Sequence, residues 1–444
     1  MREEIKLSDH FTYRRLFRFA LPSVGMMIFS SIYGVVDGFF VSNFVGKTPF
    51  AAVNLIMPYL MILGTLGFMF GAGGSALVSK TLGEGKHERA NSLFSLFVYA
   101  TLVCGALLAA VGILALRPVA ILLGAEGAMI EDCVTYGRVI LLALPAFMLQ
   151  LEFQIFFVTA ERPKLALAYT LAAGFTNMIL DALLVGLLPL GLVGAALATA
   201  LSQVVAGIGP LLYFMRKNSS ILRIGKTKLD IRAIGKAMWN GSSELMSNVS
   251  MSLIGMLYNL QLMRFVGEDG VAAYGVLMYV NFVFISAFIG YTIGLSPLIG
   301  YHYGAGNCDE LRSLRQKSIR IVLVASVGMT LLAFLLAYPF AYIFTGYDVG
   351  LLALTTRAFR IFSPSFLFAG LSILISSIFT ALNNGLISAL LSFLRTLVFE
   401  VSAVFLLPLL FDVDGIWLSV PVAEFLAVLV AMGLLYGFRR RYCY

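Results

Sequence analysis

Residues 165–190 read LALAYTLAAGFTNMILDALLVGLLPL, an apolar run broken mainly by Asn177 and Asp181. About 20 apolar residues suffice for a helix to cross the hydrocarbon core of a bilayer, so this run predicts a transmembrane helix. A carboxylate at the centre of such a span costs roughly 2.5–3.5 kcal/mol on insertion scales. Asn177 and Asp181 are four apart, so on a helix both project from one face, one turn apart. Two more polar residues, Asp37 and Thr199, interrupt other apolar runs. Together the four predict an ion or proton site around which the rest of the chain is organised.

The composition extends that reading to the whole molecule. The chain has 444 residues, 60% hydrophobic and 12% charged, against about 25% charged in soluble globular domains. Apolar runs of membrane-spanning length recur from end to end, without the alternating period of a membrane barrel, so the fold class is an all-α polytopic membrane protein. Twelve spans are predicted, near 16–43, 50–78, 92–116, 134–158, 164–188, 191–214, 233–263, 271–299, 319–344, 355–380, 386–410 and 415–438. Pro22, Pro58, Pro145, Pro297, Pro364 and Pro421 fall inside them, where a proline permits a bend. The four cysteines are scattered, with no CxxC, so neither a disulfide framework nor a metal framework is expected. The first apolar run, from about Leu16, is too long for a cleavable signal peptide.

The net charge of +8 reads as membrane topology rather than nucleic-acid binding. With the N-terminus placed in the cytoplasm, 24 of the 31 lysines and arginines fall on the cytoplasmic side, which predicts a multi-pass protein of the cell membrane with both termini inside. The chain also repeats itself. Phe44-Val45-Gly46 recurs as Phe265-Val266-Gly267, Ala51-Ala52 as Ala272-Ala273, Gly83-Glu84-Gly85 as Gly304-Ala305-Gly306, and Thr159-Ala160 as Thr380-Ala381, each 221 residues on. Six spans separate the copies, so the halves share one orientation, a parallel repeat of the kind found in secondary transporters. The predicted units are residues 1–215, an N-terminal six-helix bundle, residues 216–236, a basic cytoplasmic linker, and residues 237–444, a C-terminal six-helix bundle. Ile221, Leu222, Ile224, Leu229, Ile231 and Ile234 would suit an amphipathic helix in the linker as well as a plain connection would.

Several of these features resemble one family. They are Val36-Asp37, Val45-Gly46 and Ala51-Ala52-Val53, the stretch Gly71-Ala72-Gly73-Gly74-Ser75-Ala76-Leu77-Val78-Ser79-Lys80-Thr81-Leu82-Gly83-Glu84-Gly85, the Asn177/Asp181 pair and Thr199. Over its whole length the chain is similar to the multidrug and toxic compound extrusion (MATE) family, in its DinF-like or MepA-like bacterial branch. The resemblance implies two pseudo-symmetric six-helix bundles in a V, the MATE/MOP fold. It also implies alternating access driven by inward proton or sodium flow, with the residues matching Asp37, Asn177, Asp181 and Thr199 forming the coupling site.

The chemistry of those residues supports the same role. Two carboxylates in low dielectric repel each other and are poorly solvated, so one of them is expected to carry a proton near neutral pH. With the Asn177 and Thr199 oxygens beside them, they would equally suit Na+, a hard cation that favours oxygen ligands. A structural polar cluster tying helices together would use the same residue types. Glu244 and Glu400 are secondary candidates. Glu244 sits early in the seventh span, after Gly241, and Glu400 matches Asp181 at an offset of 219 but lies near Arg395, which could pair with it. Glu152 and Glu424 also fall in spans. Met26, Met27, Tyr33, Met57 and Met61 are candidates for a cavity accepting varied apolar cations. The glycines of residues 71–74 follow no strand and precede no P-loop lysine, so close helix packing is expected of them rather than phosphate binding.

The function so predicted is a secondary antiporter and not an enzyme. It needs no cofactor beyond H+ or Na+ as coupling ion, exports organic, mostly cationic, small molecules, and works as a monomer in the lipid bilayer with no nucleic-acid partner. The alternative is a lipid-linked saccharide flippase of the same superfamily. That would need a cavity rich in arginine, whereas only Arg395 falls clearly inside a span.

Overall fold

The computed structural model describes residues 5–188, 190–439 and 441–442, including the side chains of all of these but residues 35, 38, 39, 42, 43 and 47. No strand occurs among the described residues. The first half comprises α1 (Tyr13–Phe40), α2 (Lys47–Gly83), α3 (His87–Leu122), α4 (Ala128–Leu142), α5 (Leu144–Thr159), α6 (Pro163–Asp181) and α7 (Gly191–Met215). A short helix α8 (Ile231–Asn240) follows. The second half comprises α9 (Ser242–Phe265), α10 (Glu268–Gly304), α11 (Cys308–Leu335), α12 (Ala337–Thr345), α13 (Val349–Phe362), α14 (Ser365–Ala381), α15 (Gly385–Phe393), α16 (Val401–Leu406) and α17 (Pro408–Gly437). π-helical turns at Val41–Val45, Ala182–Leu187 and Leu394–Glu400 extend α1 and α6 and join α15 to α16.

Among the described residues, nine helices are long and apolar enough to cross a membrane, and two bent pairs raise the number to eleven. The bends are 55° between α4 and α5 and 46° between α13 and α14. Pro145 stands at the first break and Pro364 at the second, whereas Pro22, Pro58 and Pro297 sit inside continuous helices and Pro421 lies in α17 beyond its kink at Asp412. The remaining expected span, the seventh (233–263), is divided at Gly241 into α8 and α9. α9 has 24 residues, about 36 Å of helix. It carries Ser242, Ser243, Glu244, Ser247, Asn248, Ser250 and Ser252, which makes it far more polar than its neighbours. Elsewhere the exterior is apolar: Val103, Leu107, Val111 and Leu114 form an exposed stripe at helical spacing along α3, with Leu114 82% exposed. In water such a stripe would seek a partner; here it is the face a helix turns to lipid.

The sequence repeat is also a backbone repeat. Left-handed conformations recur at Gly46 and Gly267, Gly85 and Gly306, Glu161 and Asn383, and Gly191 and Asp412. α2 and α10 cross at Gly83 and Gly304, where a Cβ on either residue would lie 1.9 Å from a carbonyl oxygen, of Tyr301 and Lys80 respectively. Gly83 and Gly304 are 221 apart, as are Lys80 and Tyr301, so the crossing marks the pseudo-twofold axis.

The apolar core has three parts. One contains residues of both halves, among them Leu16, Phe94, Phe156, Ile299 and Leu314. The other two belong to one half each, around Val41, Ala52 and Leu141 in the first and around Ile254, Phe359 and Trp417 in the second. The bundles therefore converge at one end and separate toward the other. The converging end carries the basic loops, and a strap of residues 7–11 crosses it. Leu7 donates its N–H to Glu161 of the first bundle at 2.6 Å. Phe11 donates to Glu310 of the second at 2.9 Å, while the other Glu310 oxygen lies 2.6 Å from His10 Nδ1. Lys317 Nζ donates to the Phe11 carbonyl at 2.5 Å.

The connection between the bundles is not a loose linker. Residues 216–230 are non-helical and pinned to α3: Arg223 N–H donates to Asn91, Gly225 N–H to Ser95, and the Thr227 hydroxyl to the Ser92 carbonyl. Helix begins only at Ile231, where the Asp230 carboxylate accepts the Ala233 N–H. The expected boundary at residue 236 falls inside α8. One expectation fails outright: Cys308 is disulfide-bonded, whereas Cys104 and Cys133 are free. Cysteine spacing in the sequence carries no signal for a bridge of this kind.

Candidate functional site

The buried stripe of α6 comprises Ala166, Thr170, Ala173, Gly174, Asn177 and Asp181, recurring at three- and four-residue intervals. It faces α1 and α7. Gly174 lets α1 come close, since a Cβ there would lie 2.4 Å from the Phe29 ring. That approach delivers Asp37, two turns beyond Phe29, to the polar end of the stripe. There Asp37 interacts with Asn177, Asp181 and Thr199, and the Thr199 hydroxyl on α7 donates to Asp37 Oδ1 at 3.3 Å.

All four residues picked from the sequence thus meet in one place within the first bundle. Asp181 is 0% and Asn177 1% exposed. Among the described residues, neither Asp181 oxygen nor Asn177 Oδ1 has a hydrogen-bond partner. An unsatisfied buried polar group costs about 1–3 kcal/mol, more when charged. Acceptors facing acceptors in a dry site are relieved by a shared proton or by a small cation, and the set of two carboxylates, an amide oxygen and a hydroxyl suits a hard ion.

Sequence reasoning missed Tyr136 of α4, whose buried hydroxyl neighbours Thr199 and feels both carboxylates. It also missed Gln150 of α5, which reaches Tyr33 beside Asp37. Neither has a signal in the sequence, because an uncharged aromatic or amide in a span is ordinary and only the packing of α4 and α5 against the site selects them.

The other candidates are dispersed. Met27 and Met61 line a cavity of about 310 Å³ between the bundles. Met26 is buried in the shared core, and Met57 packs in the first bundle's own core. Glu244 lies on the cavity wall with Arg395, across from Phe68 and Phe147. Arg395 pairs with Glu424 of α17 rather than with Glu400: its Nε and Nη2 donate to Glu424 Oε1 at 2.8 and 2.6 Å. Glu400 stands beside this pair, near Tyr258 and Tyr274. Glu152 is fully buried in the first bundle beside Thr101, and both of its oxygens lack a partner.

Comparison with known proteins follows the geometry. The MatE family model matches residues 22–183 and again 245–406, the two halves of the repeat. The chain is 27% identical over 434 residues to the multidrug export protein MepA of Staphylococcus saprophyticus, covering 97% of this chain and 94% of that one. It is 26% identical over 432 residues to MepA of Staphylococcus aureus, with the same coverage. Among solved structures, it superposes with a TM-score of 0.92 on an outward-facing multidrug resistance MATE family transporter of the MOP superfamily, at 22% identity and covering 99% of this chain and 98% of that one. It superposes with a TM-score of 0.89 on a MOP superfamily transporter from Pyrococcus furiosus described as having a binding pocket of reverse polarity, at 22% identity and 97% and 96% coverage.

Proposed function

The chain belongs to the MatE family, and from that premise we propose that it is a multidrug efflux transporter that exchanges organic, mostly cationic, compounds for protons or sodium ions by alternating access. The observation that carries the reading is Asp181, buried beside Asp37 in the first bundle with both carboxylate oxygens unpartnered among the described residues. The names of the staphylococcal relatives, multidrug export proteins, supply the cargo.

In this reading the membrane is the cell membrane, the basic end with its termini is cytoplasmic, and the divided end opens outward. One chain suffices, because both bundles and the cavity between them lie within it. A proton or Na+ from outside settles between Asp37 and Asp181, with Asn177 and Thr199 completing its oxygen shell. Neutralising the pair removes a repulsion and lets α1, α6 and α7 pack more tightly, which biases the bundle toward the state that releases cargo. Closure then carries the ion inward.

A lipid-linked saccharide flippase is less well supported: it would need a cavity rich in arginine, and among the described residues Arg395 is the one basic side chain on the wall of this one. The test is efflux of a cationic dye from vesicles holding the purified protein, driven separately by imposed proton and sodium gradients. One gradient should drive efflux above the protein-free rate; efflux with neither would refute the coupling.

A further inference from the structure

The cavity between the bundles has two charged groups on its wall, and they have opposite signs. Glu244 makes no ion pair, and no hydrogen bond reaches its carboxylate among the described residues; Asn248 donates instead to its backbone carbonyl. An unpaired carboxylate in a membrane cavity is by default a functional group. Arg395 differs. Both of its bonds to Glu424 come from one edge of the guanidinium, Nε and Nη2, and both end on a single oxygen. Among the described residues Nη1 donates to nothing, and the Arg395 side chain is 23% exposed while that of Glu424 is 6% exposed. Arg395 lines the cavity whereas Glu424 and Glu400 do not, so the guanidinium edge that Glu424 leaves unused is the one a ligand in that space can reach. That edge is a planar pair of donors whose geometry matches a carboxylate.

The two charges are separated along the cavity. Ser243, next to Glu244, lies 3.5 Å from Thr380, whose hydroxyl is 2.7 Å from that of Ser388. Arg395 is seven residues beyond Ser388, roughly 10 Å along a helix. The facing wall is apolar, with Met61, Phe68 and Phe147.

Resting on the export reading above, we propose that this cavity is built for amphoteric organic molecules: Glu244 receives a cationic group, the free edge of Arg395 an anionic one, and the methionine and aromatic wall the apolar body between them. A purely cationic molecule uses Glu244 and leaves Arg395 unanswered.

The test is equilibrium binding to the purified protein, read by fluorescence polarisation, of two dyes that differ by one charge. Rhodamine B is zwitterionic; its ethyl ester is a cation only. The variants are Arg395→Gln with Glu424→Gln, which removes both charges and strands neither, and Arg395→Lys, which keeps the charge opposite Glu424 but loses the fork. The Kd of rhodamine B relative to its ester should rise at least tenfold in the double variant and by a smaller factor in Arg395→Lys. Glu244→Gln should weaken both dyes. The Arg395→Lys protein covers the case in which the double variant is not recovered. A ratio unmoved in these variants, or wild-type protein that binds the ester but not rhodamine B, would overturn the proposal. If the binding ratio shifts as stated while no ion gradient drives efflux, the export reading fails and the amphoteric site stands.

Discussion

The sharpest consequence of the buried pair concerns Asp181→Asn. The substitution keeps the side chain's shape and replaces one oxygen by an NH2 group, which donates where Asp181 could only accept. Asp181 is completely buried and both its oxygens lack a partner, so the variant sheds a charged, unsatisfied group and should gain about 1–3 kcal/mol in ion-free buffer. It should lose what the ion contributes. A ligand at 100 times its Kd stabilises the state that binds it by about 2.7 kcal/mol. Wild-type protein in detergent should therefore melt at a higher temperature as the coupling ion, Na+ or acid, is raised. Asp181→Asn should melt higher at the outset and show no such response. In cells lacking other pumps the variant should reach the membrane at normal levels and confer no resistance, and in vesicles its gradient-driven efflux should fall to the protein-free rate. Retained efflux, or a melting temperature that still climbs with the ion, would refute the assignment and leave the cluster a structural one.

Other outcomes follow from the same geometry. Tyr136→Phe removes one hydroxyl from the site and keeps its packing; a loss of about 0.5–1.5 kcal/mol should raise the ion concentration for half-maximal efflux by about 2–10-fold without lowering the maximal rate. Gly83→Ala places a Cβ 1.9 Å from the Tyr301 carbonyl oxygen, which parts α2 from α10; melting should report a loss of about 1–3 kcal/mol, and efflux should fall with it. Asp230 outside the membrane is held below the usual aspartate range by the Ala233 N–H and by Arg89. Its contribution is therefore present above the unfolded value, near pH 4, and is lost as pH falls through the lower folded value. Protease cleavage within residues 216–230 should rise over that acid range in the wild type, and Asp230→Asn should be cut readily at neutral pH with little further change.

The sequence by itself determined the class of the molecule, its span-by-span order and its duplication. These are properties of runs and offsets: hydrocarbon thickness sets the run length, and a 221-residue repeat survives as matching peptides. The proposed coupling residues were legible for a related reason. Asp37, Asn177, Asp181 and Thr199 stand out because polar groups in lipid are costly enough to be rare, and four candidates could be listed without knowing where they meet. Glu244 was legible as an acid in a span, but its role was not.

Only the tertiary structure decided what depends on which helix faces which. It divided the seventh span at Gly241, pinned residues 216–230 to α3, and left Asp181 without a donor. It brought Tyr136 to Thr199, matched Arg395 with Glu424 rather than with Glu400, and put Arg395 on one cavity with Met61, Phe68 and Phe147. Hydropathy records how much a residue dislikes water or lipid, and that is local. A hydrogen bond, an ion pair or a cavity depends on a few ångströms between helices far apart in the chain, and no local pattern encodes that distance.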